Sequence, residues 1–192
     1  MMKGVHTKPK ESTAMRRLAT VGVLLFASTC LAAVTQGQAQ QMCDDADAAI
    51  KIQIMRLAQE KASVSAYQSQ VATIQTRYQA LTAARKMDAI DVCVFLSSYQ
   101  IPLSSAGTCC VNATDGLNGD NKPQGVVGAI PQLVYAKDNL AAKVWGQAYN
   151  DGNAALGWAT YAQQQLDKAA GLHAAIDAGF AKADAVLTKN GG

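Results

Sequence analysis

From Asp44 to Met87 the chain runs 44 residues without a glycine or a proline. The segment is rich in Ala, Gln, Lys and Glu, which favour helix, and Asp44, Asp45 and Asp47 suit a helix N-terminus, where carboxylates complement the exposed backbone N–H groups. Ile50, Ile54, Leu57, Val64, Tyr67, Val71, Ile74, Tyr78 and Leu81 recur at three- and four-residue spacing, with Lys61 and Gln68 interrupting the stripe. A helix of this length is ~66 Å long and cannot bury an apolar stripe alone, so it requires partner helices. The predicted fold is all-α: an elongated bundle of two long antiparallel helices with one or two shorter ones.

The second long helix is predicted over 154–188. Ala162, Leu166, Ala169, His173, Ile176, Phe180, Ala183 and Leu187 follow the alternating four–three spacing of a helix packed lengthwise on another, and Asn190-Gly191-Gly192 ends it. A shorter helix is predicted over 131–149 from Pro131, with Asn150–Asn153 as a turn or a kink. Asp88 to Tyr99 either extends the first helix or forms a short separate one. Residues 100–131 hold Pro102, Pro123, Pro131 and the turn-rich run from Asn112 to Pro123, and read as a small irregular appendage.

Met1 to Ala39 reads as a secretory signal peptide, with basic residues Lys3, Lys8, Lys10, Arg16 and Arg17, an apolar run from Leu18 to Val34, and small residues at Gly37 and Ala39. Cleavage is placed after Ala39, leaving one helical domain over 40–192. An uncleaved anchor, a lipoprotein signal ending at Cys30, and translation from Met15 are the alternatives. The expected destination is the periplasm or the cell surface of a bacterium, with membrane contact only through the leader.

The leader carries five Lys/Arg and one Glu, so residues 40–192 keep 12 Lys/Arg against 13 Asp/Glu. The basic balance of the whole chain is therefore a property of the leader. A basic face for phosphate contact is missing, which argues against nucleic acid as a partner.

Cys43, Cys93, Cys109 and Cys110 are disulfide candidates in an exported chain. If the first helix is unbroken, Cys43 and Cys93 lie ~65–75 Å apart, and Cys93 is left to bridge Cys109 or Cys110, tying the appendage to the bundle. If the helix folds back near Ser63–Ser65, other pairings open.

Four further features have a functional and a bland reading. His173 lies on the apolar stripe and reads as a bundle residue before a base or ligand. Asp115, Asn118, Asp120 and Asn121 carry calcium-type oxygens without the EF-hand spacing. Asn112-Ala113-Thr114 fits a glycosylation sequon. Trp145, Tyr149, Trp158 and Tyr161 flank the expected 150–153 turn as a candidate contact cluster, with core packing as the alternative. With no phosphate loop, nucleophile elbow or paired carboxylates, the chain reads as a non-enzyme without catalytic residues, metal or cofactor.

The order of leader, Gln/Ala-rich helix, appendage and C-terminal helix, together with Ile74-Gln-Thr-Arg-Tyr-Gln-Ala-Leu-Thr-Ala-Ala-Arg-Lys-Met87, resembles the minor pilus subunit of bacterial type IV secretion and conjugation systems. The stretch lacks the glycine that follows this helix end in the family. The resemblance implies an exported structural or adhesive component that contacts other subunits of an envelope-spanning or surface assembly. A free periplasmic or secreted binding module, such as a chaperone, is the alternative.

Overall fold

The computed structural model describes residues 33–119 and 127–192. The segment from Thr35 to Gly192 forms one compact unit. The proposed leader up to residue 32, and with it Cys30, lies outside the described residues, as do Asp120 and Asn121 of the calcium-type loop.

The chain is mostly helical. Its described helices are α1 (Gln36–Ala80), α2 (Ala83–Asp88), α3 (Ile90–Ser98), α4 (Gln100–Asn118), α5 (Ala129–Ala141), α6 (Trp145–Ala170) and α7 (His173–Lys189). None of them is long and apolar enough to cross a membrane.

Helix α1 is a single 45-residue rod, with no fold-back at Ser63–Ser65. It begins before the expected Asp44, because Thr35 caps it: the Thr35 hydroxyl accepts from the Gln38 backbone while the Gln38 side chain accepts from the Thr35 backbone N–H. It ends at Ala80 rather than Met87. Leu81 turns extended (φ −64°, ψ 147°), and Thr82 caps α2 by accepting from the Arg85 N–H.

The buried positions of α1 follow an unbroken four–three alternation: Ala39, Cys43, Ala46, Ile50, Gln53, Leu57, Glu60 and Val64, then half-buried Tyr67 and Val71 and buried Ile74. The seam passes through Gln53 and Glu60, whereas Ile54 is exposed. Apolarity alone had selected Ile54; the packing geometry selects its polar neighbour.

Pairing along α1 gives the topology. Tyr78 meets Cys93 and Glu60 acts on Cys110, so α2 to α4 descend against α1. Gly152 lies at Met42, Asp167 at Arg56, His173 at Glu60 and Asp184 at Arg77, so α6 and α7 ascend with α1. The two long arms are therefore parallel, not antiparallel as expected, because the descending α2–α4 arm supplies the return crossing. Two apolar cores result. One joins the first part of α1 to α4, α5 and α6 through residues such as Leu57, Leu117, Leu133 and Leu166. The other joins the end of α1 to α3 and α7 through Ile74, Val92, Ile176, Phe180 and Leu187.

Three further boundaries differ from the sequence reading. Residues 100–118 are helical, not an irregular appendage: Ala106, Cys110, Ala113 and Leu117 are buried at helical spacing, and their packing outweighs weak local propensity. Pro102 falls in the first turn of α4, where a missing N–H costs nothing within that helix. The break after α5 falls at Ala142–Val144, with Lys143 at φ 62°, so Asn150–Asn153 lie inside α6. There Gly152 packs against α1 at Met42, since a methyl in its place would come within 2.9 Å of the Met42 side chain. The C-terminal arm is interrupted at Gly171–Leu172, yet its predicted stripe stays buried on both sides of the break, with half-buried His173 between.

Candidate functional site

The four aromatic residues do not converge. Trp145 and Tyr149 share the first turns of α6, whereas Trp158 lies ~20 Å further along the same helix. Trp158 and Tyr161 pack edge to face at 5.9 Å. Gly116 of α4 lies under them, where a methyl would come within 2.8 Å of the Tyr161 ring. This pair closes the first core against α4 and makes no cleft with Trp145.

A second aromatic group, not anticipated from sequence, surrounds α7. Phe95 meets Tyr99 at 4.4 Å and Phe180 at 5.4 Å, and Phe180 stacks on Tyr67 at 5.8 Å. The Tyr99 hydroxyl donates to the Ala175 carbonyl at 2.9 Å, laying its ring over Gly179, where any methyl would overlap the ring atoms. An apolar groove of about 540 Å³ opens beside them between α3 and α7, floored by Phe95, Tyr99, Ala183 and Val186 and edged by Asp91 and Lys182.

At the joint between the two cores, His173 Nε2 lies 2.6 Å from Glu60 Oε1, and Glu60 is only 8% exposed. Tyr67 packs edge-on against the imidazole at 5.4 Å. Burial first, then the neighbouring Asp177 carboxylate and last the charge of Glu60 push the Tyr67 phenol up to about 12. Burial first and the Glu60 charge second also raise the Cys110 thiol. Glu60 is buried at this joint, while the imidazole keeps one partly exposed edge. The pair places no nucleophile or third ligand around the imidazole, and the described residues hold no cluster of three metal-ligating side chains.

All four cysteines of the described residues are free thiols. The rod explains why. Cys43 lies on α1 itself, Cys110 is level with Glu60, and Cys93 is level with Tyr78. These levels are each ~26 Å apart along the helix. The expected bridge from Cys93 to Cys109 or Cys110 would have to span that distance, far beyond the ~6 Å between bridged α-carbons. Burial raises the Cys43 thiol, with the charge of Asp44 second. Asn112 and Thr114 of the sequon lie in α4, where the Thr114 hydroxyl donates to the Cys110 carbonyl at 2.8 Å.

The descending arm has an unusual outer face. Met87, Ile90, Val94, Ser97, Ile101, Ser104, Thr108 and Val111 alternate by three and four, and all eight are exposed, Ile101 by 71% and Val94 by 61%. No Asp, Glu, Lys or Arg occurs from Val92 to Thr114. The long arms, by contrast, carry ion pairs such as Arg56–Asp167 and Arg77–Asp184, both at 2.5 Å. Reading residues 100–131 as irregular hid this stripe. The uncharged run spanning the expected helix and the expected appendage was the signal that could have revealed it.

Compared with known protein families, characterised proteins and solved structures, the chain matches none.

Proposed function

We propose that this chain is an exported structural or adhesive component of a bacterial type IV secretion or conjugation apparatus, acting through protein–protein contacts. One observation carries the contact reading: a helical face some 36 Å long, from Met87 to Val111, that exposes Met87, Ile90, Val94, Ile101 and Val111 among small hydroxyl residues and is free of charge over its central part. Exposed contiguous apolar surface of this kind is characteristic of interaction sites. The 45-residue rod, with helices packed along it, suits an elongated structural component. The export and apparatus parts of the reading come from the basic–apolar leader and from the resemblance of Ile74–Met87 to minor pilus subunits.

The groove between α3 and α7 favours a second reading, a free binding module that takes an apolar ligand between Phe95 and Val186.

The discriminating experiment is localisation with thiols blocked at harvest. Cells expressing the tagged full gene are sheared and separated into surface, periplasmic and membrane fractions. Recovery in the sheared fraction, with DNA or protein transfer impaired when the gene is deleted, supports the assembly reading. A monomer confined to the periplasm, with transfer unaffected by deletion, overturns it in favour of the binding module.

A further inference from the structure

We infer that the outer face of α2–α4 pairs with the same face of a second copy of this chain, antiparallel and centred near Tyr99. The inference names the partner of the contact face and rests on reading that face as an interface; it holds whether or not the chain is exported.

The pattern of large and small residues is self-complementary about that centre. In antiparallel register Met87 falls opposite Val111, Ile90 opposite Thr108, Val94 opposite Ser104, and Ser97 opposite Ile101. Three of the four layers thus set a branched apolar side chain against a small hydroxyl residue, the alternation that lets facing helices interdigitate. Each layer also pairs the two alternating positions of the three–four repeat, as antiparallel helix pairs do. Parallel pairing would instead stack like on like, Ile90 on Ile90 and Ser104 on Ser104, leaving some layers crowded and others empty.

The hydroxyls on the stripe can be covered cheaply. Ser97 donates to the Cys93 carbonyl at 2.9 Å and Thr108 to the Ser104 carbonyl at 3.0 Å. Both donors are already satisfied within their own helix, so removing water from these two leaves no unpaired hydroxyl hydrogen, and the third hydroxyl, Ser104, needs a partner across the interface.

The charges lie at the ends and suit the same register. Exposed Asp115 of each copy comes alongside the Arg85–Lys86 end of the other. Asp91 faces the uncharged stretch around Gly107, and the two Asp91 carboxylates stay ~24 Å apart along the axis. In parallel register they would face each other. The break between α3 and α4 at Tyr99, where Pro102 offers no N–H to the Ser98 carbonyl, falls on the centre, so the pairing superimposes bend on bend.

The test uses the chain purified in the form its host produces. Sedimentation is run across a concentration series for the wild type and for Val94→Lys and Ile101→Lys, with helical circular dichroism confirming that each variant is folded. The register is read separately. On a background with both half-buried thiols removed, Cys93→Ser and Cys109→Ser, the variants Met87→Cys and Val111→Cys are oxidised alone and as a mixture. The expected result is a wild-type dimer, dimerisation weakened at least about tenfold in each lysine variant, and a cross-link that forms between Met87→Cys and Val111→Cys only in the mixture. A wild type that stays monomeric throughout, a dimer insensitive to both lysines, or Met87→Cys linking efficiently to itself overturns the pairing. If the wild type is monomeric but Val94→Lys still removes the chain from host surface assemblies, the self-pairing fails while the contact reading stands. If neither is seen, both fail.

Discussion

His173 Nε2 and Glu60 Oε1 are 2.6 Å apart, a bond between the first residue of α7 and the middle of the 45-residue rod α1. Glu60 occupies a position on a seam whose other buried residues, Gln53 apart, are apolar. A polar residue on such a seam fixes the alignment of the helices that satisfy it. Here it aligns the C-terminal arm with α1 at the point where one core gives way to the other. His173→Leu is expected to strand the buried carboxylate and lower stability by about 1–3 kcal/mol, and Glu60→Gln in the same chain to restore part of the loss. Denaturant titration of both single variants and the double variant checks this; additive losses would contradict the pairing.

The same joint sets an alkaline limit. Tyr67 is held above its ordinary value of 10.0, at about 12, by burial first and by Asp177 and Glu60 after it. The folded state therefore favours the neutral phenol. Its contribution is fully present below pH 10 and is lost as pH rises through about 12. Unfolding followed between these limits is expected to show stability falling in the wild type and a shallower fall in Tyr67→Phe.

Gly179 exists for Tyr99. Gly179→Ala places a methyl within the ring and is expected to cost about 1–3 kcal/mol. The penalty should shrink markedly when Tyr99→Ala is also present, because the ring that would be struck is gone. An unchanged penalty in the double variant would show that another neighbour imposes the glycine.

The thiols should all titrate as free. In the oxidised chain separated without reductant, peptide mapping is expected to find no link from Cys93 to Cys109 or Cys110. Half-buried Cys93 and Cys109 are expected to react with a thiol reagent before buried Cys43 and Cys110. An internal Cys93 bridge would require α3 and α4 to leave their places on α1.

The start of α1 bears on the leader. Ala39 is fully buried, and Thr35 and Gln38 form the cap. A chain beginning at Gln40 lacks both and is expected to be about 1 kcal/mol less stable than one beginning before Thr35, measured by thermal or denaturant unfolding. Equal stability would show that the cap contributes nothing.

How much was legible follows from what each signal reports. The stripe from Ala162 to Leu187 was readable because its small and apolar residues keep the four–three alternation even across Gly171–Leu172. The α1 rod was readable from its lack of glycine and proline, but its seam was misplaced at Ile54 because apolarity does not register a buried Glu60 whose partner lies 113 residues away. Helix α4 was missed because Ser, Thr, Gly and Pro speak for turns locally, while the packing of Ala106 and Ala113 that makes the segment helical is visible only in three dimensions. The direction of the C-terminal arm and the levels of the thiols depended on that missing helix.

Site-specific photocrosslinking in the host tests the contact face most directly. A photoreactive side chain at Ile101 or Val111 is expected to capture protein in a defined larger species, whereas the same group at exposed Gln164 on α6 is not. Equal capture from Gln164, or none from the stripe, would contradict the reading of α2–α4 as the surface through which this chain works.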